Sequence, residues 1–358
     1  MARVLGVPVL LTPSWFVFAV WIVLLYQPLA TERVGTGAAY LVGAGLALML
    51  LVSVLLHEIA HCVVARAFNL PVRSITVTLL SGRTEITEPP QTPTREYAIA
   101  ISGPMVSLTL TGIGTALTYA FADGSLAREL AINLAITNGA ITVLNLLPGL
   151  PLDGGRVLRS LLWRLTGDPL KATRAAATTG IVLGTAVIPS VLLVGAPLLG
   201  YEGHVVTMLV LSVVIGVFIV IGARATLRQA ELGSKLPDLS AAALARPALT
   251  VPANMPLSEA VRRAHEQKLR SMVIVSSEGK FEGIVSEAWV RQVPHERRPW
   301  VVAADGARKL EPAIVLDPAL GGEELLAAMS ATPASEYLLA GDPPRVLVSG
   351  DVADALSA

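Results

Sequence analysis

Long apolar runs alternate with short polar connections as far as about residue 225, after which apolar residues recur in short blocks between charged ones. A membrane-spanning helix needs roughly 20 apolar residues. On that measure the stretches 12–30, 36–68, 97–122, 126–147, 174–200 and 203–223 predict six spans, the fifth interrupted by Pro189 and Pro197. Between the second and third, Pro71–Thr87 changes period. Val72, Ile75, Val77, Leu79 and Leu80, interleaved with Thr76 and Thr78, are β-favouring, and Gly82 offers a turn before Arg83–Thr87. This predicts a short hairpin.

Past the spans, 229–244 is a polar linker containing Gly233 and Pro237. The remainder, 245–358, repeats one pattern: strand 248–251, helix 257–268, strands 272–276 and 281–285 and helix 287–292, then 313–316, 322–329, 337–340, 345–349 and 351–356. An internal duplication of this kind implies two half-units burying a common apolar face. The expected architecture is a polytopic α-helical membrane domain (1–228) with a short β-hairpin, followed by a soluble α/β domain.

Composition sharpens this picture: hydrophobic residues make up 53% of the chain and charged residues 15%, and the formal net charge of +0 gives no electrostatic reason to expect a nucleic-acid partner. The single cysteine, Cys62, excludes an internal disulfide. The first apolar run opens with Trp15, Phe16 and Phe18 and is not followed by a small-residue cleavage site, so it is expected to be retained as a span. The first, third and fifth connections hold only Arg33, only Arg128 and no Lys or Arg. The second holds Arg73, Arg83 and Arg95, and the fourth holds Arg156, Arg159, Arg164, Lys171 and Arg174. This asymmetry places both termini and the even-numbered connections in the cytosol of a multi-pass cell-membrane protein.

Ionisable residues inside such spans are expensive and mark function. The second span ends in His57-Glu58-Ile59-Ala60-His61. Histidines at i and i+4 share a helix face and suit one metal ion, and the adjacent Glu58 suits a general base. A catalytic zinc takes three protein ligands and leaves a position for water. The third candidate is Asp153, in Asn145-Leu146-Leu147-Pro148-Gly149-Leu150-Pro151-Leu152-Asp153-Gly154-Gly155, at the cytosolic end of the fourth span. Taken alone, that segment reads equally well as a helix cap and turn. Cys62 points about 100° away from His61 on the helix and is expected to pack rather than ligate. His204, His265 and His295 lie too far along the chain, on the outer side or in the soluble domain, to join the group.

With these motifs in view, residues 40–165 resemble the site-2 protease family of intramembrane zinc metalloproteases, in His57-Glu58-x-x-His61 and in Asn145 through Asp153-Gly154-Gly155. The resemblance implies zinc held by His57, His61 and Asp153, water activated by Glu58, and a role for Asn145 in binding substrate backbone or the developing oxyanion. It further implies single-span membrane protein substrates, contact with membrane lipid, and release of membrane-tethered regulators. The hairpin is then either a surface connector or an exposed edge able to pair with an unwound substrate segment. Ser102-Gly103-Pro104 resembles a small-residue motif of the same family, with Gly103 expected to allow close helix contact.

The duplicated segment resembles a pair of cystathionine-β-synthase-type (CBS) domains, a tandem that commonly binds adenine nucleotides. Gly283-Ile284-Val285-Ser286 fits the usual nucleotide signature, but Trp289 stands where its acid should be. In the second copy Asp351 is present, while Arg345 and Val348 replace the glycine and hydroxyl residue. A structural or homodimerising module is therefore expected ahead of a nucleotide site. Two rivals remain: a transporter or channel with such a regulatory pair, which predicts polar residues scattered along several spans, and a non-catalytic relative, which has no need of Glu58.

Overall fold

A computed structural model describes residues 2–78, 82–190, 205–339 and 341–357. The chain divides into two compact units, 1–230 and 231–358.

In the first unit, helices α1 (Pro13–Val34), α2 (Thr36–Ala67), α3 (Pro93–Ala120), α4 (Leu126–Leu146), α5 (Asp153–Thr166), α6 (Pro169–Ser190) and α7 (Val205–Lys235) follow one another. Among the described residues four helical stretches are long and apolar enough to cross a membrane: Thr36–Ala67, Pro93–Ala120, Leu126–Leu146 and Leu209–Asp238. The first expected span is a shorter apolar stretch, Pro13–Pro28, within α1. The expected fifth span begins earlier than the sequence suggested, at Pro169, because Asp168 accepts from the backbone N–H groups of Leu170 and Lys171 and so caps the helix start. The rest of that span (191–200, with Pro197), the start of the sixth and His204 lie outside the described residues. The fourth connection is largely helical: α5 is amphipathic and ends at Gly167, whose φ of 71° is left-handed.

The expected hairpin is present, but it is half of a larger sheet. Strands β1 (Ala2–Val4), β2 (Val7–Leu11), β3 (Val72–Val77) and β4 (Gly82–Ile86) lie in the order β1-β2-β3-β4. β2 runs parallel to β3, with Val9 opposite Ile75, and β4 antiparallel to it, with Thr84 opposite Ile75. Gly82 opens a strand instead of making the turn, and Leu79 and Leu80 lie outside the described residues. Residues 2–11 had suggested no element, being too short and too mixed to show a period. They pair because their partner strand is supplied from beyond α2. Val7, Ile75 and Cys62 form a buried cluster with Leu55 and Ile59, so Cys62 packs the sheet onto α2 as its direction predicted.

In the second unit, strands β5 (Arg246–Pro252), β6 (Ser271–Val275), β7 (Phe281–Val285), β8 (Ala307–Lys309), β9 (Val315–Leu316), β10 (Glu336–Leu339) and β11 (Arg345–Val348) form one sheet in the order β8-β7-β6-β5-β11-β10-β9. Both copies of the repeat are visible. Each presents a strand, a helix (Leu257–Glu266 or Gly322–Ala331), an antiparallel strand pair and a short terminal helix (Glu287–Gln292 or Ser349–Ser357). The first repeat helix ends before Lys268, which adopts a left-handed φ of 57°. Residues 229–244, expected as a linker, are the end of α7, a 3-10 turn and a four-residue helix, Ala241–Leu244. Leu239 and Ala241 are buried in the core of this unit, so apolar side chains that the polar composition masked draw the segment into the domain.

Candidate metal centre

Helix α2 places His57 and His61 one turn apart, and both are buried, with relative exposures of 4% and 3%. Their rings stand nearly perpendicular with centroids 4.9 Å apart. Helix α3 fixes their orientation. His61 Nδ1 lies 2.7 Å from the backbone carbonyl of Ile99, which also accepts from the Ser102 hydroxyl. A carbonyl only accepts, so Nδ1 carries a proton, and in the neutral ring Nε2 holds the lone pair. His57 Nδ1 lies 3.0 Å from Ser107 Oγ, a buried hydroxyl on the same helix. Both Nε2 atoms then face Asp153 Oδ2, at 2.9 Å from His57 and 3.1 Å from His61.

With the ring neutral, His61 Nε2 and Asp153 Oδ2 face each other as acceptors, and a cation between them, a proton or a metal ion, reconciles the pair. The ligand atoms of the three residues lie within 4.8 Å of one another. The two nitrogen–oxygen distances, 2.9 and 3.1 Å, are shorter than the about 3.3–3.6 Å between ligand atoms of a tetrahedral zinc, so the carboxylate would move back a few tenths of an ångström to admit one. Room for an ion comes from Gly103, for which the sequence suggested only close helix packing. A Cβ there would stand 2.5 Å from His57 Nε2 and against His61 Nε2, so glycine opens the space beside both nitrogens. The donor set, its buried setting and the partners of both Nδ1 atoms fit zinc.

Asp153 is the first residue of α5, and the irregular segment before it is held by close backbone contacts and by the buried Leu150 side chain on Ala176 and Ala177. Leu150 N–H donates to the Ala176 carbonyl on α6 at 3.1 Å. A Cβ on Gly149 would meet Gly180 Cα at 2.6 Å, and one on Gly222 would press on the Pro151 ring. Cβ atoms on Gly154, Gly155 or Gly180 would run into the main chain of 146–150. Arg159, also on α5, pairs with the buried carboxylate of Glu96 on α3 and donates through Nε to Thr173 Oγ1 on α6 at 2.7 Å. The helix bearing the third candidate ligand is thereby tied to the helix that orients the histidines.

Glu58, 5% exposed, lies under strand β4, where the Thr84 hydroxyl stands 2.7 Å from Glu58 Oε2 and 3.0 Å from its backbone carbonyl. Asn145 is half-buried near the end of α4, and among the described residues no hydrogen bond joins it to the histidine–aspartate group. Seven residues earlier on α4, Asn138 is wholly buried and donates to Ser53 Oγ on α2 at 3.0 Å, one turn before His57. Sequence reasoning passed over Ser53, Ser107, Asn138 and Thr84. The first three carried a usable signal, since polar side chains inside spans pair across helices. Thr84 carried none, being a threonine in a strand.

In the second unit, Asp351 forms an ion pair with Arg246, which also lies 3.7 Å from Glu287. Glu287 accepts from the Ser271 hydroxyl at 3.2 Å. Trp289, in place of the signature's acid, packs so closely on Gly306 that a Cβ there would overlap its indole.

Apolar helices of spanning length around a buried His-Glu-x-x-His/Asp group define a membrane protein with a metalloprotease-type centre. Residues 45–131 and 123–188 match peptidase family M50, and residues 241–288 match the CBS domain. The peptidase M50 match thus falls on the segment that holds His57, Glu58, His61 and Asp153, and the CBS match falls on the first half of the C-terminal repeat. It is 28% identical over 312 residues to a Synechocystis protein named as zinc metalloprotease sll0528, covering 83% of this chain and 78% of that one. It is 41% identical over 169 residues to one named as zinc metalloprotease Rip3 of Mycobacterium tuberculosis, covering 45% of this chain and 43% of the relative. Among solved structures, the site-2 protease from Methanocaldococcus jannaschii aligns with 25% identity and a TM-score of 0.45, over 63% of this chain and 94% of that one.

Proposed function

We propose that this chain is an intramembrane zinc endopeptidase that cuts membrane-anchored proteins from the cytosolic side. The observation that carries the reading is the convergence of His57 Nε2, His61 Nε2 and Asp153 Oδ2 inside an apolar helix bundle. The Ile99 carbonyl at His61 Nδ1 and the Ser107 hydroxyl at His57 Nδ1 turn both Nε2 atoms to the same point. His57, His61 and Asp153 would hold the ion. When bound, zinc supplies Lewis acidity, polarising a scissile carbonyl and lowering the pKa of water towards ~7.

The chain's own groups then have distinct tasks. Glu58 takes the proton from the attacking water and returns it to the leaving amine. Ser107 and the Ile99 carbonyl keep the imidazoles oriented. Asn145, half-buried near the end of α4, is proposed to contact substrate backbone. A helical peptide bond is shielded by its own hydrogen bonds, so the substrate must unwind. The outer edge of β4, the last strand in its sheet, offers hydrogen-bonding partners for an extended segment. Its partners on this reading are single-span membrane proteins, the surrounding lipid and, through the C-terminal unit, a second copy of the chain. The engagement of Asp351 by Arg246 favours a structural or dimerising role for that unit over adenine-nucleotide binding. The cytosolic placement rests on Arg156, Arg159, Arg164, Lys171 and Arg174, which cluster at the end bearing Asp153.

Against the transporter reading, the buried acidic and histidine residues of the first unit, among those described, are His57, Glu58, His61, Glu96 and Asp153, all in the centre or in its tether, while buried uncharged polar residues such as Ser53, Ser107, Asn138, Thr142 and Ser212 are spread over several helices. Zinc content of detergent-purified protein, with cleavage of a panel of single-span substrates by wild type and Glu58→Gln, tests the proposal. Stoichiometric zinc in both and cleavage by wild type alone is expected. Carefully prepared protein without zinc would overturn it.

A further inference from the structure

Strand β4 does more than border the centre. Alternate residues of a strand face the same way, and the face bearing Gly82, Thr84 and Ile86 is turned to α2, as the Thr84–Glu58 hydrogen bond shows. The opposite face carries Arg83 and Glu85, and Glu85 pairs there with the exposed Arg73. The register is fixed by Ile75 and Val77, opposite Thr84 and Gly82, which are 0% and 1% exposed. A slip of β4 by one residue would turn Arg83 and Glu85 to α2 in place of Gly82 and Thr84. The sheet therefore delivers one hydroxyl to one carboxylate. Gly82 completes the fit, since a Cβ there would overlap the Glu58 side chain and lie 2.6 Å from its Cδ.

We infer that Thr84 is a positioning residue for Glu58, so that the strand proposed to receive substrate also aims the base. The inference rests on the role proposed for Glu58. A hydroxyl has one proton to give, and the charged carboxylate at 2.7 Å is the stronger acceptor than the carbonyl at 3.0 Å. Donation to Oε2 fixes the carboxylate plane, with Oε1 set against Gly82. Any displacement of β4 is passed to Glu58 through this bond and through the Gly82 contact. Base geometry and strand engagement are thereby coupled.

The test compares wild type, Thr84→Val, Thr84→Ser and Glu58→Gln in detergent, each checked for zinc content and thermal midpoint. In the zinc-free protein, the infrared difference between wild type and Glu58→Gln isolates the Glu58 carboxylate stretch. Thr84→Val shifts this band and Thr84→Ser restores it. With any single-span substrate that wild type cuts, Thr84→Val lowers kcat about tenfold with KM unchanged, the scale set by losing one hydrogen bond to a charged group. Thr84→Ser recovers the rate. An unchanged carboxylate band in Thr84→Val, or wild-type kcat in it while Glu58→Gln is inactive, overturns the inference alone. Cleavage by Glu58→Gln overturns the role of the base itself. Should Thr84→Val not fold, Thr84→Ala removes the same hydroxyl without adding bulk and is read by the same band.

Discussion

Replacing Gly103 with alanine separates the stability of the fold from its capacity to hold an ion. The added Cβ would stand 2.5 Å from His57 Nε2 and 2.7 Å from His57 Cδ2, roughly 1 Å inside ordinary contact. The rings can yield only by giving up the bonds that aim them, His57 to Ser107 and His61 to the Ile99 carbonyl, both on the helix that carries Gly103. Overpacking of this kind costs typically about 1–3 kcal/mol. The zinc-free protein relieves part of it by turning the rings aside, and an ion must turn them back against the clash, which at ~1.4 kcal/mol per tenfold weakens zinc binding by up to about 150-fold. Glycine to alanine within a helix acts in the other direction on folding, by about 1 kcal/mol. The zinc-free variant should thus melt close to wild type while its zinc affinity, measured by competition with a chromophoric chelator, drops sharply. Wild-type affinity in Gly103→Ala would refute the placement of the ion beside both Nε2 atoms.

Two further outcomes follow from ion pairs and burial. Arg159→Met leaves the Glu96 carboxylate, whose Oε2 already lacks a protein partner, buried without its cation. A loss of about 3–5 kcal/mol is expected, visible as a lower denaturation midpoint that the double variant Glu96→Gln/Arg159→Met largely restores. In the C-terminal unit, burial and, secondarily, the nearby Glu287 charge hold the Glu336 carboxyl above its ordinary value of 4.5. The unfolded chain therefore releases this proton first, and stability falls as pH rises from about 4.5 through the raised value. Glu336→Gln should flatten that part of a melting-temperature profile against pH, and an unchanged slope would refute the assignment.

Much of this arrangement could be read from residues. The grouping of His57 and His61 was legible because charge inside an apolar helix is costly and a spacing of four puts two rings on one face. The repeat of the C-terminal unit was legible because its strands and helices are short, periodic and separated by turns. What escaped had no local signature. Strands β1 and β2 exist through pairing with a segment that comes after a 32-residue helix. The helical character of 229–244 depends on a core to which only Leu239 and Ala241 contribute from that stretch as buried residues. Gly103 suggested helix packing because sequence shows a missing side chain but not what occupies the gap.

The segment before Asp153 has a consequence for how this protein can vary over time. Its path is set by peptide groups of 146–150 lying against Gly154, Gly155 and Gly180, by Pro151 against Gly222, and by Leu150 packed on Ala176 and Ala177. Main-chain atoms do not mutate, so much of what positions Asp153 is independent of side-chain identity. Exposed apolar residues nearby, such as Leu161 and Leu165, make no such contacts and can vary. The glycines have no such freedom. The centre is therefore robust to most substitutions and intolerant of a few that, by residue type alone, would look the mildest.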